Sequence, residues 1–62
     1  MNFKEWLKAN NRGVISRMAK ADDFPERGGF TTYSDYVKRI RPGKWQDMLR
    51  AWLDFAADKR KS

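Results

Sequence analysis

The stretch Trp45 to Lys59, WQDMLRAWLDFAADK, constrains the fold more than any other part of the chain. On a helical wheel Trp45, Met48, Leu49, Trp52 and Ala56 fall on one side at i, i+3, i+4 spacing, and Leu53 and Phe55 widen that stripe on opposite flanks. One partner helix covers only a narrow seam, so a stripe this wide predicts a central helix embraced by several short elements. It would span roughly 22 Å, the width of a very small domain. The other face carries Gln46, Asp47, Arg50, Asp54 and Asp58. Arg50 can pair there with Asp47 and Asp54, in solvated contacts that each contribute about 0.2–0.5 kcal/mol.

Upstream, shorter helices supply the embrace. Asn2 is an N-cap candidate for a helix over Asn2 to Asn10, with Glu5 completing a capping box and Phe3, Trp6 and Leu7 forming the apolar face. Asn10, Asn11, Arg12 and Gly13 stop it, Gly13 or an Asn taking the left-handed conformation. A second short helix places Val14, Ile15, Met18 and Ala19 on one face, with Arg17 and Lys20 outside. Asp22, Asp23 and Pro25 end it, and the extended bend before Pro25 tucks Phe24 into the core. Glu26-Arg27-Gly28-Gly29 is a flexible loop. A third helix begins after Thr31 or Thr32, either of which can cap it; it buries Tyr33, Tyr36, Val37 and Ile40 and turns Ser34, Asp35, Lys38, Arg39 and Arg41 outward. Arg41-Pro42-Gly43 ends it, and Lys44 leads into the central helix. The prediction is an all-α single domain over residues 1–62, with three short helices packed on a longer C-terminal one and a frayed basic tail at 59–62.

At 62 residues the chain lies near the lower limit for independent folding, so its core must be dense in large side chains. Three Trp, four Phe, two Tyr and three Met supply that density. With no Cys and no His, disulfides, thiolate metal sites and the commonest general base are excluded. Phe3 to Lys8 alternates charge and aromatics where a signal peptide would need an apolar run, and no stretch approaches a membrane span. The expectation is a cytoplasmic protein. A net charge of +6 and a pI near 10.1 point to an anionic partner, or to solubility alone.

These residues resemble the YozE family of small bacterial proteins, whose fold is like that of the sterile alpha motif (SAM) domain. Phe3-Lys4-Glu5-Trp6-Leu7 is similar to its aromatic-x-acid-aromatic-Leu start, and Ile15-Ser16-Arg17-Met18-Ala19 to its Ile-Ser-Arg-Leu-Ala helix. Phe24-Pro25 resembles its Phe-Pro bend, Tyr33 to Ile40 its Tyr-rich helix, and Ala51-Trp52-Leu53-Asp54-Phe55 its closing Ala-Trp-x-x-aromatic segment. The connections after Leu7 and Ile40 are shorter than is usual there. The resemblance implies a compact four-helix SAM-like domain and carries no catalytic residues. SAM-like domains act as protein-interaction modules and in some cases bind nucleic acid.

Catalytic constellations are nearly empty. Asp22-Asp23 reads as a helix stop with no further metal ligands in reach, and Ser16 and Ser34 have no His base. No enzyme, metal, cofactor or small-molecule substrate is expected. The stronger signal is the cluster Lys38, Arg39, Arg41 and Lys44, with no acid between Asp35 and Asp47. It reads as a compact patch that binds phosphates, or as cations stabilised by a helix C-terminus with Asp35 neutralising Arg39. Arg27-Gly28-Gly29, before a helix N-terminus, is an accessory anion site or an ordinary loop. Lys59-Arg60-Lys61 could reach a phosphate backbone.

The Phe24–Phe30 connection is too long for a helix-turn-helix. Trp6, Trp45 and Trp52 lie at core positions, which leaves Tyr33 as the one partly exposed aromatic. The expectation is therefore a small non-catalytic binding module. Its partner is nucleic acid, held through Lys38, Arg39, Arg41, Lys44 and Arg27, or alternatively an acidic protein surface or a second copy.

Overall fold

In the computed structural model, which describes residues 2–61 (backbone only at 61), Asn2 caps the first helix, α1 (Phe3–Ala9), its Oδ1 accepting the Glu5 N–H at 2.8 Å. The helix ends where both the backbone N–H and the side-chain amide of Asn10 donate to the Trp6 carbonyl, at 2.9 and 2.8 Å. Ser16 then fixes the corner. Its hydroxyl donates to the Asn10 carbonyl at 2.6 Å and accepts the Arg12 N–H at 2.8 Å, so this buried serine is structural. Gly13 has a φ of +71°, a left-handed conformation favoured by glycine, but it serves as the N-cap of α2 (Val14–Met18).

After α2 the chain descends through i→i+3 turns, with Lys20, Ala21 and Phe24 donating to Arg17, Met18 and Ala21. Phe24 is buried as expected, between Tyr33 and Tyr36 at ring-centroid distances of 5.4 and 5.1 Å. Asp23 accepts the Tyr36 hydroxyl at 3.0 Å, so it anchors the bend as well as stopping the helix.

The third helix departs from the prediction in four respects. It starts earlier: α3 runs Phe30–Ile40 with Gly29 as N-cap and no side-chain cap, so neither Thr31 nor Thr32 caps it. Phe30 is drawn into the first turn by packing against Trp45 and Trp52. Tyr33, placed on the buried side by its spacing but also read as an aromatic partly exposed at the helix start, is 1% exposed, so the spacing holds and the exposure does not: Phe3, Phe24 and Trp52 surround its ring. Ser34 is buried rather than solvated, and Ile40, expected in the core, is 47% exposed.

Pro42–Lys44 forms a single 3-10 turn that leads into α4 (Trp45–Lys61), about 25 Å long at 1.5 Å per residue. Lys59 and Arg60 belong to this helix; residue 62 lies outside the described residues. Among the described residues the chain is all-α, three shorter helices packed against the long C-terminal one, as predicted. The side of α4 that faces them shares Trp45, Met48, Trp52 and Phe55 with the predicted stripe but is rotated toward Ala51. Met48, Ala51 and Phe55 are its buried residues, Trp45 and Trp52 are half-buried against the core, and Leu53 is 60% exposed. Phe3 sits at the centre of the aromatic cluster, edge-on to Tyr33 at 4.8 Å and to Trp52 at 5.1 Å.

The acids of α4 are also engaged differently. Asp58, expected to be solvated, accepts the Trp6 indole N–H at 2.7 Å, and Asp54 pairs with Arg12 rather than Arg50. Arg12 lies at the same time 5.8 Å from the Trp6 ring centroid. Together these contacts pin α4 to α1 and to the α1–α2 corner. No helix of the described residues is long and apolar enough to cross a membrane.

Candidate nucleic-acid interface

The five cations singled out in the sequence divide between the two ends of α3. Lys38, Arg39, Arg41 and Lys44 gather at its C-terminus and in the following turn, whereas Arg27 lies in the loop before its N-terminus. About 15 Å of helix separates the two places. In that loop Gly28 adopts a φ of +138°, and a Cβ there would meet the Thr32 Cβ at 2.6 Å. The loop is thus held by steric fit against α3, and only glycine satisfies it.

Lys38 and Arg39 are steered to opposite flanks of α3 by aromatic rings. The Lys38 ammonium lies 5.0 Å from the Trp45 ring centroid, and the Trp45 indole N–H in turn donates to the buried Ser34 hydroxyl at 2.6 Å. The Arg39 guanidinium lies 5.8 Å from the Tyr36 ring, whose hydroxyl is committed to Asp23. Each cation–π contact contributes about 0.5–1 kcal/mol at an exposed site and restricts where the charge can sit. The basic residues therefore form a girdle around the end of the helix rather than one flat patch.

Arg41 points in a third direction. Its N–H closes α3 by donating to the Val37 carbonyl at 2.7 Å, and its side chain lines a shallow concavity of about 240 Å³ with Val14, Arg17 and Met18 of α2. The concavity thus brings two arginines together over an apolar floor. Arg17 was read from the sequence only as a residue outside the apolar face of α2. Nothing local marks it as a neighbour of Arg41, because the two come from different helices. Lys44 is partly buried, and its N–H donates to the Arg41 carbonyl at 2.9 Å. Among the described residues none of Arg17, Arg27, Lys38, Arg39, Arg41 and Lys44 forms an ion pair with a carboxylate.

Burial pushes the Tyr33 phenol above its usual range. Burial also raises Tyr36, helped by its hydrogen bond to Asp23 and the charge of that carboxylate, while Arg39 opposes the shift. Among the described residues no group of three or more acidic, His or Cys side chains is placed to hold a metal ion.

No protein-family model matches the chain, and neither a curated protein nor a solved structure gives a significant match.

Proposed function

We propose that the chain is a small non-catalytic nucleic-acid-binding module that holds phosphates where α2 meets the end of α3 and the Pro42–Lys44 turn. The observation that carries this reading is the shared concavity of Arg17 and Arg41, two arginines from separate segments with no carboxylate partner among the described residues. A guanidinium matches phosphate oxygens in a bidentate manner, and two side by side suit successive or shared phosphates. Lys38, Arg39 and Lys44, within three residues of Arg41 in the chain, add to the longer-range field. Arg27 is outside this interface. The resemblance to YozE-like, SAM-like proteins is compatible with such a role.

Binding of this kind is electrostatic and indifferent to sequence, since phosphates carry no base information. Neutralising about four to five phosphates gives a log affinity that falls against log salt with a slope between roughly −3 and −5 on duplex DNA. Fluorescence anisotropy with labelled duplex and single-stranded oligonucleotides over a salt series measures it. Arg17→Ala and Arg41→Ala should each flatten the slope by about one and weaken binding to unrelated sequences alike, while Arg27→Ala leaves it unchanged. Absence of binding at low salt removes the reading.

A further inference from the structure

Phosphate binding accounts for only half of the concavity shared by Arg17 and Arg41. Its lining is those two arginines with Val14 and Met18, and no acid takes part. Charge therefore selects an anion, while the apolar floor calls for a second feature on the same ligand. A phosphate offers only oxygens, which go to the guanidiniums and leave Val14 and Met18 facing water. The volume is about 240 Å³. Sites that enclose a drug-sized molecule run from roughly 300 to 1,000 Å³, so this shallower one suits a single ring rather than a stack of them.

A nucleotide carries such a ring beside its phosphate. Guanidinium planes stack on base faces as well as bonding to phosphate, and a methionine thioether makes favourable contacts with aromatic rings. Every Trp, Tyr and Phe of the chain packs on another ring, so the aromatic platforms on which single strands commonly stack are spent on the core. A base that turns out of its strand meets arginine and methionine here instead. In a duplex the base faces are stacked inside, and only phosphates and groove edges reach a shallow site. Charge alone favours the duplex, which releases about 0.9 counterion per neutralised phosphate against about 0.7 for a single strand. Any preference for the single strand must then come from contact with the base.

We propose that this concavity binds single-stranded nucleic acid in preference to duplex, Arg17 and Arg41 holding the phosphates on either side of one nucleotide while its base lies on Val14 and Met18. This rests on the nucleic-acid reading above and adds which form of nucleic acid is held and by which part besides phosphate. It remains indifferent to sequence, because every base has a π-face to offer.

The probes are three labelled oligonucleotides of equal length: a mixed-sequence strand free of self-pairing, an abasic strand that keeps only its sugars and phosphates, and the duplex of the first strand. In fluorescence anisotropy with the full chain at one fixed salt concentration, the intact strand should bind about fivefold tighter than either of the others. Val14→Thr keeps the shape of the floor and puts a hydroxyl in place of a methyl, so it should bring the affinities of the intact and abasic strands together with little change in the thermal melt. In the parent chain, where nothing is substituted, the Val14 and Met18 methyl resonances should move upfield under the ring current of a base when the intact strand is added, and not with the abasic strand. Four results overturn the proposal and leave the nucleic-acid reading standing. These are a duplex bound as tightly as the strand, equal binding of intact and abasic strands, a folded Val14→Thr variant that keeps the parent's discrimination, or methyl resonances that the intact strand does not shift upfield. Failure of all three probes to bind at low salt overturns both.

Discussion

The indole N–H of Trp45 donates to the hydroxyl of Ser34 at 2.6 Å, joining the first residue of α4 to the middle of α3. Ser34 is buried, and with Lys38 over the Trp45 ring the three residues form one unit at the edge of the basic girdle. Ser34→Ala removes the acceptor and should cost about 1 kcal/mol, read as a lower urea midpoint with an unchanged m-value. In a Trp45→Phe background the same substitution should cost less, because the donor is already gone.

The two buried tyrosines should respond oppositely to loss of their hydroxyls. The Tyr33 hydroxyl is buried with no hydrogen-bond partner among the described residues, whereas that of Tyr36 is bound to Asp23. Tyr33→Phe should therefore be neutral or stabilising by up to about 1 kcal/mol, and Tyr36→Phe should destabilise by about the same amount. Urea denaturation of the two variants beside the parent chain decides it.

The same residues should make the fold sensitive to alkali. Both phenols are raised from the ordinary value of 10.0 when folded, chiefly by burial, so the folded state holds their protons more tightly than the unfolded chain does. Their contribution to stability is then complete below pH 10 and is lost as pH rises through the elevated folded values. Stability measured at intervals above pH 9 should fall, with tyrosinate absorbance appearing as the chain unfolds. The fall should be shallower in the Tyr33→Phe, Tyr36→Phe double variant.

Gly28 should tolerate no side chain. Its φ of +138° disfavours any L-residue, and an added Cβ would stand 2.5 Å from the Thr32 Oγ1 and 2.6 Å from the Thr32 Cβ. Gly28→Ala should cost about 1–3 kcal/mol. Thr32→Ala should not rescue it, since the clash with the Thr32 Cβ survives. Gly29→Ala, where a Cβ meets nothing within 4 Å, serves as the mild control in the same thermal melts.

Much of the helical content was legible because its causes are local. The Asn2 cap, the inward faces of α1 and α2, the burial of Phe24 beside Pro25 and the end of α3 near Arg41 all follow from spacing and turn chemistry within a few residues. The start of α3 was missed because the capping preference of Thr31 and Thr32 lost to the packing of Phe30 on two tryptophans. Of the candidate site, Lys38, Arg39, Arg41 and Lys44 were visible as a run of charge. Their division among three directions, and the removal of Arg27 to the far end of α3, were not.

The sequence by itself determined that this chain is a small all-helical body with an aromatic core and a cationic exterior. Tertiary structure decided which arc of α4 is buried. Apolar residues occupy more than half of that helix's circumference, so the wheel centres its stripe on Trp45, Met48, Leu49, Trp52 and Ala56, whose middle lies about a quarter turn from that of the buried arc of Met48, Ala51 and Phe55. Only the positions of α1 and α3 choose between those arcs, and their choice leaves Leu53 in solvent. The meeting of Arg17 with Arg41 has the same origin: a contact between distant segments is set by how helices pack, and no local pattern encodes it.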